Sequence, residues 1–199
     1  RKTLYSLNRF YLPYSKYNII ITVVDNASAD NTVDFLKTEY PQINLIKAEK
    51  NLGFSKGNNL ALKESKADYI MLLNSDMEFT EKSKNIDNLI RHLEDHPETG
   101  IITPKLILGN GQLDPACHRG EPSPVDAFFY FAGFEKLFPK IKFFTKYHML
   151  YKDFSKIHEV DAVTGACMII KNSVLKKIGL FDERFFMYSE DMDLCRRFR

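Results

Sequence analysis

The polar and apolar positions alternate in blocks that switch between strand and helix periods. Tyr69, Ile70, Met71, Leu72 and Leu73 are apolar without a break, which predicts a strand buried on both faces of a sheet. Asn74, Ser75 and Asp76 follow at once, where such a strand reaches its C-terminal edge. Upstream, residues 2–12 carry a helical apolar face that Pro13 closes. A β-branched run over 18–24 predicts a second buried strand, ending in Asp25 and Asn26. Asp30 can cap a helix over 31–40, which Pro41 stops. A short strand over 43–47 comes next, and a loop over 51–59 leads into a helix through Ala61 and Leu62. Strands alternating with helices in this way predict an α/β fold with helices flanking the sheet.

Beyond Asp76, Ile86, Leu89, Ile90 and Leu93 fall at helical spacing and give the clearest amphipathic helix of the chain. Residues 100–108 then read as a strand, with a hairpin turn at Gly109, Asn110 and Gly111. Over 115–157 the pattern breaks. Prolines are followed by crowded aromatics and interleaved lysines, which marks an insertion in the frame and not a separate domain. Regular structure is expected to resume with strands over 159–163 and 167–170, a tight link at Thr164, Gly165 and Ala166, and a helix over 173–178 closed by Gly179. A last helix opens near Glu190.

Composition narrows the function classes. A chain of 199 residues with 44% hydrophobic and 27% charged residues suits one globular domain with a substantial core. The net charge of +2 makes no case for nucleic acid. Cys117, Cys167 and Cys195 share no metal-ligand spacing and suggest no disulfide framework, which fits a reducing, cytoplasmic compartment. No apolar run approaches the ~18 residues of a spanning helix.

Four polar clusters sit where strands end or helices begin. Asp25 with Asn26 can accept hydrogen bonds from a nucleobase or a ribose, or can simply turn the chain. In the loop from Asn51 to Asn59, Gly53 and Gly57 allow close backbone approach to a ligand, though the spacing is neither a Walker loop nor a dinucleotide fingerprint. Asp76 beside Asn74 and Ser75 can hold a hard divalent cation, which in turn can hold a diphosphate; the plain alternative is a turn and helix cap. Glu190, Asp191 and Asp193 crowd like charges, raising an apparent pKa towards that of a working base, while a helix N-terminus opposes that shift. Ser189 as cap with acids in the first turn is the ordinary alternative. The apolar lead-in of Phe185, Phe186, Met187 and Tyr188 suits a lined cleft instead.

Taken in series, five stretches carry a family resemblance: residues 23–30, 51–54, 72–76, 163–168 and 179–194. The chain resembles the inverting glycosyltransferases of family two, particularly their rhamnosyltransferase-like branch. The resemblance implies a GT-A-type fold, with a mixed, mostly parallel nucleotide-binding sheet flanked by helices. One catalytic domain would span 1–199, with a nucleotide-sugar half over about 1–108 and an acceptor half over about 109–199. It implies nucleotide contacts at Asp25, Asn26, Asn51, Gly53, Gly57, Asn74 and Ser75, Mg²⁺ or Mn²⁺ on Asp76, and a catalytic base at Asp191 with Glu190 beside it. The implied donor is a nucleotide-diphosphate sugar. The implied acceptor is a saccharide or lipid-linked saccharide, in bacterial cell-surface polysaccharide synthesis.

Departures from the family pattern are Asn74 in place of the first acid of Asp-x-Asp, a first strand missing before Arg1, and an ending at Arg199 ahead of a segment that often supplies a His. These point to a domain truncated at both ends. Peripheral contact at the inner face of the plasma membrane and homodimerisation complete the partner expectations. A sugar-phosphate nucleotidyltransferase and a non-catalytic carbohydrate-binding domain are the competing readings.

Overall fold

A computed structural model describes all 199 residues. The chain runs α1 (Lys2–Phe10), β1 (Thr22–Asp25), α2 (Thr32–Glu39), β2 (Asn44–Lys47), α3 (Gly53–Glu64), β3 (Tyr69–Leu73), α4 (Asp87–Asp95) and β4 (Ile101–Ile102). It continues through α5 (Pro124–Phe131), α6 (Phe134–Leu137), β5 (Cys167–Lys171), α7 (Asn172–Ile178) and α8 (Glu190–Phe198). No helix is long and apolar enough to cross a membrane.

The α/β architecture follows the sequence reading. The strands form two separate ladders. One is the parallel β1–β2 pair, from Thr22 opposite Asn44 to Asp25 opposite Lys47. The other is three-stranded, with β5 entering antiparallel between β3 and β4. Tyr69 then faces Lys171, Leu73 faces Cys167, and Ile101 faces Ile170. β3 and β4 both oppose β5 and so run parallel to each other.

β5 divides two cores, as a strand's two-residue period requires. Met168 and Ile170, both wholly buried, pack with Leu62, Leu72, Leu175, Phe181 and Leu194. Ile169 faces the other way, towards Leu7, Tyr11, Phe79, Ile90 and Leu93. Each such side chain contributes roughly 1.5–3 kcal/mol on burial, so this strand anchors both layers.

α1 supports the far end of β3. The Thr3 hydroxyl donates to the Ser75 carbonyl, and the buried Ser6 hydroxyl accepts from the Phe79 N–H at 3.0 Å.

Three expected strands are shorter or missing. The run over 18–24 becomes strand only from Thr22. The run over 100–108 keeps two residues, because Pro104 has no N–H for a ladder. Its hairpin turn does form: the Leu108 N–H donates to Gln112, and Gly111 takes φ +81. The strand expected over 159–163 is a single bridge between Arg119 and Ala162. Its partner segment turns away at Gly120, whose N–H donates to the Tyr147 carbonyl at 2.7 Å.

Candidate active site

β3 ends in Asn74, whose N–H donates to the Ala166 carbonyl at 2.9 Å. That bond ties the strand's polar edge to the 164–166 link leading into β5. Ser75 and Asp76 are exposed in the turn that follows.

β1 ends in Asp25, which is 5% exposed and accepts the Ser28 N–H at 3.3 Å. The Asn26 amide is spent within the chain. Its Oδ1 accepts the Leu52 N–H at 2.8 Å, and its Nδ2 donates to Asn51 Oδ1 and the Gly53 carbonyl, each at 3.1 Å. Asn51 Oδ1 also accepts the Gly53 N–H at 2.9 Å. Asn26 and Asn51 therefore act as a clasp that seats the start of α3 on the end of β1.

The glycines in this loop permit close approach, but to other parts of the chain. A Cβ on Gly53 (φ +77) would lie 2.3 Å from the Phe186 carbonyl oxygen. The Phe54 N–H donates to that same oxygen at 2.7 Å. Gly57 lies against Asn26, where a Cβ would meet the amide at 3.5 Å. Asn59, 1% exposed, grips the next stretch through both amide atoms. Its Oδ1 accepts the Phe181 N–H at 3.1 Å and its Nδ2 donates to the Phe181 carbonyl at 2.9 Å. α3 thus holds the 181–186 segment that delivers the acidic cluster.

That delivery is conformationally costly. Tyr188 (φ 72) and Ser189 (φ 70) are consecutive non-glycine residues in left-handed conformation, each costing on the order of 1–3 kcal/mol. Ser189 makes no side-chain cap. The two residues swing the chain so that Glu190 and Asp191 enter the first turn of α8 facing inward, 6% and 8% exposed. Phe186, Met187 and Tyr188 stay exposed as an apolar rim beside them.

Asp191 is fixed through both oxygens. Oδ2 accepts from Arg119 Nη2 at 2.6 Å and from the Gly165 N–H at 3.2 Å, while Oδ1 accepts the Met192 N–H at 2.8 Å. Arg119 also donates to the Val163 carbonyl at 3.0 Å. Its own burial opposes its charge, yet Asp191 alongside leaves the guanidinium pKa raised. Glu190 has the contrasting environment: burial, then the neighbouring Asp191 charge, push its carboxyl above 4.5, and its Oε2 has no hydrogen-bond partner. Asp193 turns away into an ion pair with Arg197 at 2.9 Å.

Bonded contacts therefore join all four clusters read from sequence. Asn26 clasps Asn51 and Gly53, Gly53 packs on Phe186, Gly165 donates to Asp191, and Ala166 accepts from Asn74. Arg119 was not among the sequence candidates. It lies in the proline-rich start of the insertion, and no local pattern marks one arginine there as the partner of an acid 72 positions on.

No three His, Cys, Asp or Glu side chains gather to hold a metal ion. The exposed Asp76 nevertheless fits Mg²⁺ or Mn²⁺ of the kind that takes one or two carboxylates and completes its shell with substrate phosphates and water.

Among curated proteins, the chain is 26% identical over 190 residues to an N-acetylglucosaminyl-diphospho-decaprenol L-rhamnosyltransferase of Mycobacterium tuberculosis, covering 90% of this chain and 60% of the relative. It is 30% identical over 184 residues to the low-salt glycan biosynthesis hexosyltransferase Agl10 of Haloferax volcanii, covering 89% and 52%. The chain thus spans a little over half the length of these relatives. Of solved structures, S. aureus TarS matches with a TM-score of 0.59 at 18% identity, over 99% of this chain and 50% of that one. The mannosyltransferase PcManGT of Pyrobaculum calidifontis, in complex with GDP-Man and Mn²⁺, matches with 0.58 at 16%, over 95% and 45%. These two likenesses speak for the GT-A-type fold alone. The sequence profile of Glycosyl transferase family 2 matches residues 1–179, most of the chain, and the protein belongs to that family.

Proposed function

We propose that the protein transfers a sugar, with inversion, from a nucleotide-diphosphate sugar to a saccharide or lipid-linked saccharide acceptor in cell-surface polysaccharide synthesis. The observation that carries this reading is the path from Asn74 through Ala166 and Gly165 to Asp191. Two hydrogen bonds, Asn74 to Ala166 and Gly165 to Asp191, set a buried carboxylate against the polar edge of β3. In open α/β sheets that edge is where ligands bind.

In this mechanism Asp25 contacts the base or ribose, and the clasp of Asn26, Asn51, Gly53 and Gly57 shapes the wall around it. Asn74 and Ser75 line the diphosphate, and Asp76 holds the cation. When bound, that cation neutralises charge developing on the leaving diphosphate. Asp191 takes the proton of the acceptor hydroxyl, whose oxygen bonds to the anomeric carbon from the face opposite the leaving group. The bond from that carbon to the diphosphate oxygen breaks, and the electron pair departs with the nucleotide. One displacement inverts the carbon. Arg119 and the Gly165 N–H hold Asp191 in position throughout, and Glu190 lies beside it. The division is a donor half over about 1–108 and an acceptor half over about 109–199. The relative named for transfer to a decaprenol-linked saccharide supports a lipid-linked acceptor, and the proposal places the protein in the cytoplasm, at the inner face of the plasma membrane where such an acceptor is met.

The test is a thermal-shift screen of the full-length chain against nucleoside diphosphates and nucleotide sugars, with and without Mn²⁺. A ligand at about 100 times its Kd adds about 2.7 kcal/mol, so a matching donor stands out by its metal-dependent shift. Asp76→Asn should abolish the metal-dependent part and leave the fold intact. No shift with any donor, or an unchanged metal effect in Asp76→Asn, overturns the reading.

A further inference from the structure

Outside the candidate site, the largest departure from an ordinary surface is the insertion. α5 and α6 surround a small aromatic core in which Phe129 meets Phe143 and Phe144, with ring centroids 5.1 and 5.0 Å apart. Phe134 stacks on Phe144 at 5.4 Å. This core accounts for Phe129, but not for its neighbours. Phe128 is 61% exposed, Phe131 85%, Leu137 70% and Phe143 67%. Phe128 and Phe131 are three apart on α5 and share its outer stripe.

The exposed charge around these side chains is predominantly positive. Residues 122–152 contain two acids, Asp126 and Glu135, and both are buried. Asp126 accepts from the Ser123 hydroxyl at 2.6 Å, and Glu135 bonds the His148 ring at 2.7 Å. What the segment shows outward is Lys136, Lys140, Lys142 and Lys146. Lys142 and Lys146 line a recess of about 470 Å³ with Ser123, Val125, Asp126 and Phe143. A surface that exposes phenylalanine and leucine among cations, with Asp126 and Glu135 withdrawn and Asp153 the exposed acid at its edge near Lys140, is complementary to a layer that is apolar within and anionic at its face.

We propose that the outer stripe of α5, α6 and the lysine-bearing turn after it dock the protein on an anionic phospholipid surface. Phe128, Phe131, Leu137 and Phe143 enter the boundary between headgroups and acyl chains. Lys136 and Lys140 meet headgroup charge, and a headgroup phosphate seats between Lys142 and Lys146. This gives a site to the membrane placement of the proposed function, and rests on that reading for its use in bringing the cleft to a lipid-linked acceptor.

The experiment is co-sedimentation of the full-length protein with vesicles of phosphatidylcholine alone and of phosphatidylcholine mixed with phosphatidylglycerol. Binding is expected to the mixed vesicles only, and to weaken as salt rises. Each lysine neutralised should cost roughly five-fold, so Lys142→Gln with Lys146→Gln should cost about twenty-five-fold. Phe131→Ser with Leu137→Ser should reduce binding at every salt concentration. Because Phe131 and Leu137 are exposed, circular dichroism and Tm of the variants should show the fold kept. Absent binding, equal binding to both vesicle types, or indifference to the lysine pair overturns the proposal. Nucleotide-sugar binding, measured without vesicles, separates the two readings. Its loss would sink the transferase and leave vesicle docking standing, and the reverse result would do the opposite.

Discussion

At the scale of single residues, the two adjacent acids of α8 are distinguished by their partners. Asp191 has Arg119 and two N–H donors, whereas Glu190 is buried with one oxygen unbonded. Removing the guanidinium leaves a buried carboxylate uncompensated, a loss of about 3–5 kcal/mol for such pairs. Arg119→Met should therefore lower stability and also kcat, by about 10²-fold if misplacement of the base is the cause. The donor KM should hold, and Arg119→Lys should recover part of kcat; a loss confined to stability would make Arg119 merely structural.

Glu190 gives a pH prediction. Its folded pKa lies above its ordinary 4.5, so the fold favours the neutral acid. Stability from this group is full below 4.5 and falls as pH rises through the raised value. Glu190→Gln should raise Tm at pH 7 and remove that fall, while costing less activity than Asp191→Asn, for which about 10²-fold or more is expected. A greater loss in Glu190→Gln would make Glu190 the base. The sequence announced the acidic pair but not its asymmetry, because that comes from Arg119 and Gly165, both remote in the chain.

At the scale of elements, long-range bonds decide what local pattern leaves open. β3 and β5 were legible because an unbroken apolar run has one use in a sheet. The strand over 159–163 was not, because its apolar alternation says nothing about whether a partner strand runs alongside. In the 51–59 loop, the glycines suggested approach to a ligand, and at Gly53 the neighbour is instead the Phe186 carbonyl. Gly53→Ala should then act through the 181–189 segment. A Cβ there lies within 2.3 Å of backbone and φ is +77, so the segment must shift. Tm should fall by several degrees, about 2–4 °C per kcal/mol in a domain of this size. Hydrogen exchange should rise across 182–190 while β1 and β2 stay protected. Equal loss of protection throughout the domain would contradict this local role.

At the scale of the whole molecule, the insertion is joined to the frame beside Arg119, the residue that holds Asp191. His118 precedes Arg119, is 4% exposed, and packs its ring 4.3 Å from Phe154. Its Nε2 has no partner. The sequence showed this segment only as proline-rich and aromatic, since neither the burial of one histidine nor its neighbours can be read from spacing. Burial, chiefly, with added repulsion from His158, pushes its pKa down from 6.5 to about 4. The unfolded chain therefore takes up the proton first as pH falls. Stability from this group is full above 6.5 and is lost as pH drops towards about 4. The loss reaches roughly 3 kcal/mol, a large part of the 5–15 kcal/mol typical of a domain. Glu190 works in the opposite sense over part of the same range and offsets part of this loss. His118→Phe keeps a ring against Phe154 and cannot be protonated. The denaturant midpoint should fall from pH 7 to pH 5 in the parent and stay level, or rise, in the variant. In the parent at pH 5, hydrogen exchange should loosen first over 118–120 and 145–158, where the insertion meets Arg119. An equal acid slope in parent and variant would clear His118 of this role and assign the slope to the remaining titrating groups.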